Sequence, residues 1–379
     1  MKKKVLIIDD SALMRRVLCD IINSDDRFEV ADIAKDGAEG FKFLVSRSYD
    51  AVVLDVYMPR MTGLQMLKEM QESNISANVM MASTTTSEGA RETLTALELG
   101  AIDFIKKPEN VADARVEEFR TRFLSILEVV ANAKTSLGSN RLKKKPQDTN
   151  RVQKFTARYD VNFHHLSAGQ GKSADGEIKL RAASEVRGRK IVAIASSTGG
   201  PKALQEVIPK LPKNINAPVL LVQHMPKGFT KSLADRLNEL SEVCVHEAEE
   251  GDILQNGHVY ISKGGAHMQI EKRAGGYAIK YTDEPSREGV KPCANYMYES
   301  LINSNYDQIV CVVLTGMGCD GTAGIKNLDG KKKIHVIAQD EETCTVYGMP
   351  RSIAASGLVN EVVPLDKVTE HIIKNVGVY

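Results

Sequence analysis

No stretch of the sequence approaches the ~20 consecutive apolar residues needed to cross a bilayer, so a soluble protein is expected. The first apolar run, Val5 to Ile8, follows a basic start but is ended by Asp9 and Asp10 after four residues, too soon for a secretory signal. Charge of one sign is not in excess: Lys+Arg 50 against Asp+Glu 49 leaves a formal net charge of +1, and nothing in that balance implies a whole-molecule nucleic-acid binder. The six cysteines contain no CxxC pair, which argues against a zinc site or a disulfide framework and for a reducing cytoplasm. No internal repeat is apparent.

What is there reads as two domains, since 379 residues exceed the ~100–200 typical of one. Over residues 1–124 short apolar runs (Val5–Ile8, Val52–Leu54, Val79–Ala82, Phe104–Ile105) alternate with helical patterns such as Leu13, Val17, Leu18 and Ile21. Such alternation predicts a doubly wound parallel α/β sheet. Residues 125–187 turn polar and basic, as a linker would, with Ile126 to Ala133 a candidate extension of the preceding helix. Over residues 188–379 apolar runs resume (Ile191–Ala195, Val219–Val222, Val259–Ile261, Ile309–Leu314, His335–Ala338), predicting a second α/β domain with its own core.

In the first domain Asp9, Asp10 and Asp55 each follow an apolar strand. In a parallel sheet the carboxyl ends converge, so three carboxylates crowd into one pocket, where a divalent cation such as Mg²⁺ offsets their repulsion. Ser83 and Lys107, also after strands, offer a hydroxyl and a cation to a phosphoryl group that Asp55 would accept as an acyl phosphate. Taken singly, each residue is equally a helix cap or a solvated turn; the ordered combination is specific.

Asp9-Asp10-Ser11, Asp55-Val-Tyr-Met-Pro59, Ser83 and the Gly100 to Pro108 segment resemble a two-component receiver domain. The resemblance implies phosphorylation of Asp55 by a histidine kinase, metal held by Asp9, Asp10 and Asp55, and a switch built from Ser83, Lys107 and the aromatic position Phe104. The family often has Thr and Tyr where Ser83 and Phe104 stand.

In the second domain the strand Ile191–Ala195 runs into Ser196-Ser197-Thr198-Gly199-Gly200-Pro201, with Pro201 placed to open a helix. Alone, this turn suits either an exposed nucleophile or a bound anion. His224 just past the second strand and Asp320 past Ile309–Leu314 complete the hydroxyl, base and carboxylate of acyl transfer: Ser197 attacks, His224 carries the proton, Asp320 orients the imidazole. The chain order differs from that of α/β-hydrolases, and the first glycine of G-x-S-x-G is missing. A DNA-binding output is disfavoured because this half is strand-rich and too long for a helix-turn-helix module.

Ser-Thr-Gly-Gly-Pro, Gln-His-Met-Pro, Leu-Thr-Gly-Met-Gly-Cys-Asp-Gly and Tyr347-Gly-Met-Pro-Arg351 together resemble the catalytic domain of the CheB family of chemotaxis methylesterases. That resemblance implies removal of methyl groups from glutamate γ-methyl esters of methyl-accepting chemotaxis receptors, deamidation of receptor glutamines, no cofactor for ester hydrolysis, and a chemotaxis histidine kinase as phosphodonor. It places Thr198 and Met317 in the pocket, the Met317 N–H as an oxyanion donor, and His267 nearby. Lys291-Pro-Cys293-Ala-Asn295 departs from the Arg-Pro-Ser-Val-Asp common in the family, and Cys319 replaces an Asn or Ala. A switchable enzyme of this domain order is expected to pack its receiver over the Ser197 cleft until Asp55 is phosphorylated.

Overall fold

The computed structural model describes residues 1–83, 86–108, 117–133, 180–183 and 186–379. The chain opens with β1 (Lys3–Ile8), α1 (Ala12–Asn23), β2 (Phe28–Ala34), α2 (Gly37–Ser46), β3 (Ala51–Asp55), α3 (Gly63–Glu72), β4 (Val79–Ser83), α4 (Ser87–Glu98), β5 (Asp103–Lys106) and α5 (Glu117–Asn132). Its five strands form one parallel sheet in the order β2-β1-β3-β4-β5. Side chains alternate across a strand, so Leu6, Ile8, Val52 and Leu54 face α2, α3 and α4, while Val5, Ile7, Val53 and Met80 face α1 and α5. Both faces are covered, which is why the strands are apolar throughout.

The candidate extension over Ile126 to Ala133 is part of the last receiver helix up to Asn132. Helix α5 continues to Asn132 and buries Phe123, Leu124, Ile126, Leu127 and Val130 in the first domain's core, so the residues from 125 to 132 belong to that domain. At the other end the catalytic half starts before residue 188: the Arg181 N–H donates to Val359 O, and Asn360 Nδ2 donates to Arg181 O and Ala182 O. The basic stretch between, residues 134–179, lies outside the described residues.

The second domain contains β6 (Lys190–Ser196), α6 (Gly200–Val207), β7 (Val219–Gln223), α7 (Phe229–Leu240), β8 (Cys244–Glu247), β9 (His258–Ile261), β10 (His267–Arg273), β11 (Gly276–Thr282), α8 (Ala294–Ser300), β12 (Gln308–Val313), α9 (Thr322–Leu328), β13 (Lys333–Gln339), α10 (Met349–Ala354), β14 (Glu361–Val363) and α11 (Val368–Val376). Seven parallel strands run in the order β14-β13-β12-β6-β7-β9-β8. Val192 and Ile194 face α6, α7 and α11, and Ile191, Ala193 and Ala195 face α8, α9, α10 and the antiparallel hairpin β10–β11. From β6 the chain builds outward to β8, then returns through β12 to the other side. The reversal puts a crevice at the carboxyl ends of β6 and β12, as the reversal between β2 and β3 does at β1 and β3 in the first domain.

Candidate functional site

At the end of β6 the backbone turns sharply into α6. Gly199 adopts a φ of 76°, a left-handed conformation that costs a side chain about 1–2 kcal/mol. Pro201 lies in the first turn of α6, where its missing N–H is no loss. The turn is held by neighbours: Gln223 Nε2 donates to Ser197 O at 2.9 Å, Ser196 Oγ donates to Gln223 Oε1 at 2.7 Å, and the Ser197 N–H donates to Thr315 O at 3.0 Å. A side chain at Gly316 would come within 2.8 Å of Ser197 Cβ, so glycine lets the β12 loop approach the serine.

Ser196 pairs with Gln223 in the β6–β7 register, and the His224 N–H donates to Ser196 O at 3.1 Å. Ser197 and His224 therefore leave adjacent strands, about 4.8 Å apart, side by side. His224 Nε2 lies 2.7 Å from Asp320 Oδ2. Because that nitrogen faces a carboxylate it carries the proton, leaving Nδ1 free to act as an acceptor. Among the described residues the Ser197 hydroxyl forms no hydrogen bond with the ring.

Asp320 is buried, yet well supplied with donors. Its Oδ1 accepts from Cys293 Sγ at 3.0 Å, the Asn295 N–H at 3.0 Å and the Gly321 N–H at 2.8 Å; its Oδ2 accepts from the Ala294 N–H at 2.6 Å. The carboxylate thus sits on the first turn of α8, where unpaired N–H groups favour negative charge. Burial opposes ionisation, but the bonds from His224, Cys293 and the Ala294 N–H outweigh it and hold the carboxyl below the usual carboxylate range. Burial, reinforced by Asp320, pushes the Cys293 thiol up, so it remains a donor.

The Met317 side chain is exposed, and its N–H meets no acceptor among the described residues, nor does that of Thr198. The Thr198 hydroxyl reaches into the first domain, donating to Asp103 Oδ2 at 2.5 Å. His267 stands behind the site, next to the Cys293 segment that contacts Asp320. It is fully buried, Nδ1 accepts from the Cys293 N–H at 3.2 Å, and Nε2 lies 3.2 Å from Pro285 O. Burial keeps its pKa low, so the ring is a neutral brace for the Cys293 segment rather than a donor facing a substrate. Sequence reading missed Gln223, Thr315 and Cys293 as positioning residues because their roles depend on strand neighbours distant in the chain.

In the first domain Asp9, Asp10 and Asp55 bring carboxylate oxygens within 4.8 Å of one another. Lys107 Nζ lies 2.7 Å from Asp9 Oδ2 and 2.6 Å from Asp55 Oδ2. Asp9 Oδ2 is buried and is met by the Lys107 ammonium; three carboxylates converging this closely form an all-oxygen set that suits a hard divalent cation. Burial first, then the charges of Asp9 and Asp10, push Asp55 up to about 6 against the pull of Lys107. Ser83 Oγ donates to Gly89 O at 3.2 Å and accepts from the Thr93 hydroxyl at 2.7 Å. Phe104 is buried and stacks on Phe229 of α7, ring centroids 4.7 Å apart. Glu98 of α4 takes a two-pronged ion pair from Arg236 of α7, at 2.8 and 3.3 Å. The first domain therefore docks on α7 and on the turn bearing Ser197.

Residues 192–372 match the family model for CheB methylesterase and residues 5–116 that for the response regulator receiver domain. A protein-glutamate methylesterase/protein-glutamine glutaminase of Geobacillus kaustophilus is 36% identical over 374 residues, covering 99% of both chains. One of Pyrococcus horikoshii is 39% identical over 377 residues, covering 100% of this chain and 94% of its own. The Thermotoga maritima CheB methylesterase catalytic domain is 42% identical over 50% of this chain and 99% of its own, with a TM-score of 0.47. With full-length relatives at this identity, the chain belongs to the CheB family of receiver-linked protein-glutamate methylesterases/protein-glutamine glutaminases.

Proposed function

We propose that this chain hydrolyses glutamate γ-methyl esters of chemoreceptors to glutamate and methanol, deamidates receptor glutamines at the same site, and is controlled by phosphorylation at Asp55. The observation that carries the catalytic reading is the His224–Asp320 pair at 2.7 Å beside a serine on the adjoining strand end. Ser197 Oγ attacks the ester carbonyl as its proton passes to His224 Nδ1, the contact closing when substrate is bound. Asp320 holds the resulting imidazolium, and the N–H groups of Met317 and Thr198 are the candidate donors to the oxyanion. His224 then returns the proton to the leaving methoxide, giving methanol, or to the departing amine of a glutamine, giving ammonia. Water, activated by the same ring, hydrolyses the acyl-serine and restores the hydroxyl.

In the receiver, Asp9, Asp10 and Asp55 would hold Mg²⁺. When bound, the ion supplies positive charge against which an incoming phosphoryl group is stabilised. Asp55 accepts that group from a chemotaxis histidine kinase, and Lys107 and a reoriented Ser83 contact its oxygens. Since the Lys107 N–H already donates to Ser83 O at 2.7 Å, displacement at either residue bears on β5 and so on Phe104 and Asp103 at the docking surface. Release of those contacts uncovers Ser197.

Methanol release from methylated receptor fragments tests the proposal. Ser197→Ala and His224→Ala should each lower kcat on the order of 10⁴-fold or more with the fold intact. A glycine turn that merely binds an anion predicts no methanol from the wild type and ligand binding indifferent to His224→Ala.

A further inference from the structure

At the opposite end of the catalytic sheet, β8 and β9 bring together three donors that the esterase reading does not use. Cys244 and His246 lie two residues apart on β8, on the same face of the strand. His258 opens β9 and stands directly across from Cys244 in the parallel register. One ligand atom from each lies within 4.8 Å of the other two. Cys244 Sγ is 3.9 Å from His246 Nδ1.

The ring of His246 is oriented from behind. Its Nε2 lies 3.2 Å from Asp252 Oδ2, and that oxygen is itself fixed by the Glu249 N–H at 2.7 Å. A carboxylate on one imidazole nitrogen places the proton there and turns the lone pair of the other nitrogen outward, here toward Cys244. This carboxylate–histidine arrangement is what commonly supports metal-binding imidazoles. Tyr260 packs against both rings, its centroid 4.9 Å from that of His246 and 6.0 Å from that of His258, and limits their rotation. Cys244 and His258 border a surface groove that also touches Asn238, Asn256 and Tyr379, so an ion can enter and keep a position for water.

We propose that Cys244, His246 and His258 form a binding site for a borderline-soft divalent cation, Zn²⁺ in the first instance. One thiolate and two imidazoles make three of the four ligands of a tetrahedral zinc, at bond lengths of about 2.3 Å to sulfur and 2.0–2.1 Å to nitrogen. Small side-chain rotations draw the three atoms in to that spacing. Cys244 and His258 begin their strands, whereas Ser197 and His224 follow the ends of theirs, so the ion takes no part in ester hydrolysis. It pins β8, the unpaired edge of the sheet, to β9 and to the Glu249–Asp252 turn. Absence of a CxxC pair hides such a site in the sequence, because Cys-x-His is a pair of ligands only on a strand and the third ligand comes from the next one.

The test uses the full-length, reduced, metal-free protein with excess Mg²⁺ to occupy the receiver carboxylates. Titration with Co²⁺ should give one equivalent bound with a thiolate-to-cobalt charge-transfer band, displaced by Zn²⁺. Cys244→Ser should abolish the band, His258→Asn should weaken binding at least 10-fold, and Asp252→Asn should weaken it about 10-fold through loss of ring orientation. Cys319→Ser, which removes the other exposed thiol, should leave it unchanged. Methanol release by the Cys244, His258 and Asp252 variants reports that each is folded. A missing band in the wild type, a band that survives Cys244→Ser, or equal affinity in His258→Asn overturns the proposal.

Discussion

Asp320 carries the most connections of any residue at the site, and its charge is what they serve. Five donors converge on its two oxygens, so Asp320→Asn removes the charge and sets an amide N–H₂ against N–H groups of the α8 turn. A hydrogen bond to a buried charge contributes about 1.5–3 kcal/mol, and a loss of that order is expected at neutral pH, with kcat falling on the order of 10⁴-fold. The folded carboxyl has a lowered pKa, so its stabilisation is complete above the unfolded value of about 3.9 and disappears as pH falls through the folded value. Chemical denaturation of wild type and Asp320→Asn should therefore show a stability gap that closes as pH falls below about 4. A gap that grew as pH fell from about 4 to about 2 would contradict the assignment. The placement of Ser197, His224 and Asp320 beyond adjoining strands was legible because each follows an apolar run of strand length. Cys293 as a donor to Asp320, and His267 as a brace behind it, were not: nothing local tells a buried thiol or imidazole which distant loop it will meet.

At the scale of elements, the buried parallel strands announce themselves as apolar runs, and the helices between them follow from periodicity. The strands that escape are those at edges or outside the main sheet. In β2 (Phe-Glu-Val-Ala-Asp-Ile-Ala) and β8 (Cys-Val-His-Glu) one face is wet, polar residues interrupt the run, and the hydrophobic signal drops below that of a loop. The end of helix α5 was legible only as a candidate extension over Ile126 to Ala133, since the polar sequence beyond it blurs the boundary. Its inner stripe, Phe123, Ile126, Leu127 and Val130, fills the face of the receiver sheet next to α1. Leu127 is fully buried, so Leu127→Ala should destabilise the receiver by about 2–5 kcal/mol, the cost of a large-to-small change in a packed core. Unfolding followed by fluorescence or calorimetry would show it in the receiver transition; an unchanged midpoint would mean that α5 is an appendage of the linker.

For the whole molecule, one surface joins the two chemistries. β5 and α4 of the receiver meet the Ser197 turn and α7 through Asp103–Thr198, Phe104–Phe229 and Glu98–Arg236. These contacts combine a hydrogen bond, a ring stack and an ion pair, and a docking equilibrium built on them can be tipped by one phosphoryl group. The Glu98–Arg236 pair is partly exposed and contributes about 0.2–1 kcal/mol, but Arg236→Glu replaces attraction by repulsion. If docking limits access to Ser197, this change should raise methanol release by the unphosphorylated protein about 2- to 10-fold, a tenfold shift corresponding to about 1.4 kcal/mol. It should also shrink the further gain on phosphorylation, because the same equilibrium is already displaced. Adding Glu98→Arg restores the pair with reversed charges and should return basal activity toward that of the wild type. A substitution acting on the catalytic domain itself would not be rescued by a receiver residue. Equal basal rates in wild type and Arg236→Glu, or a failed rescue, would show that docking through α7 does not control the esterase.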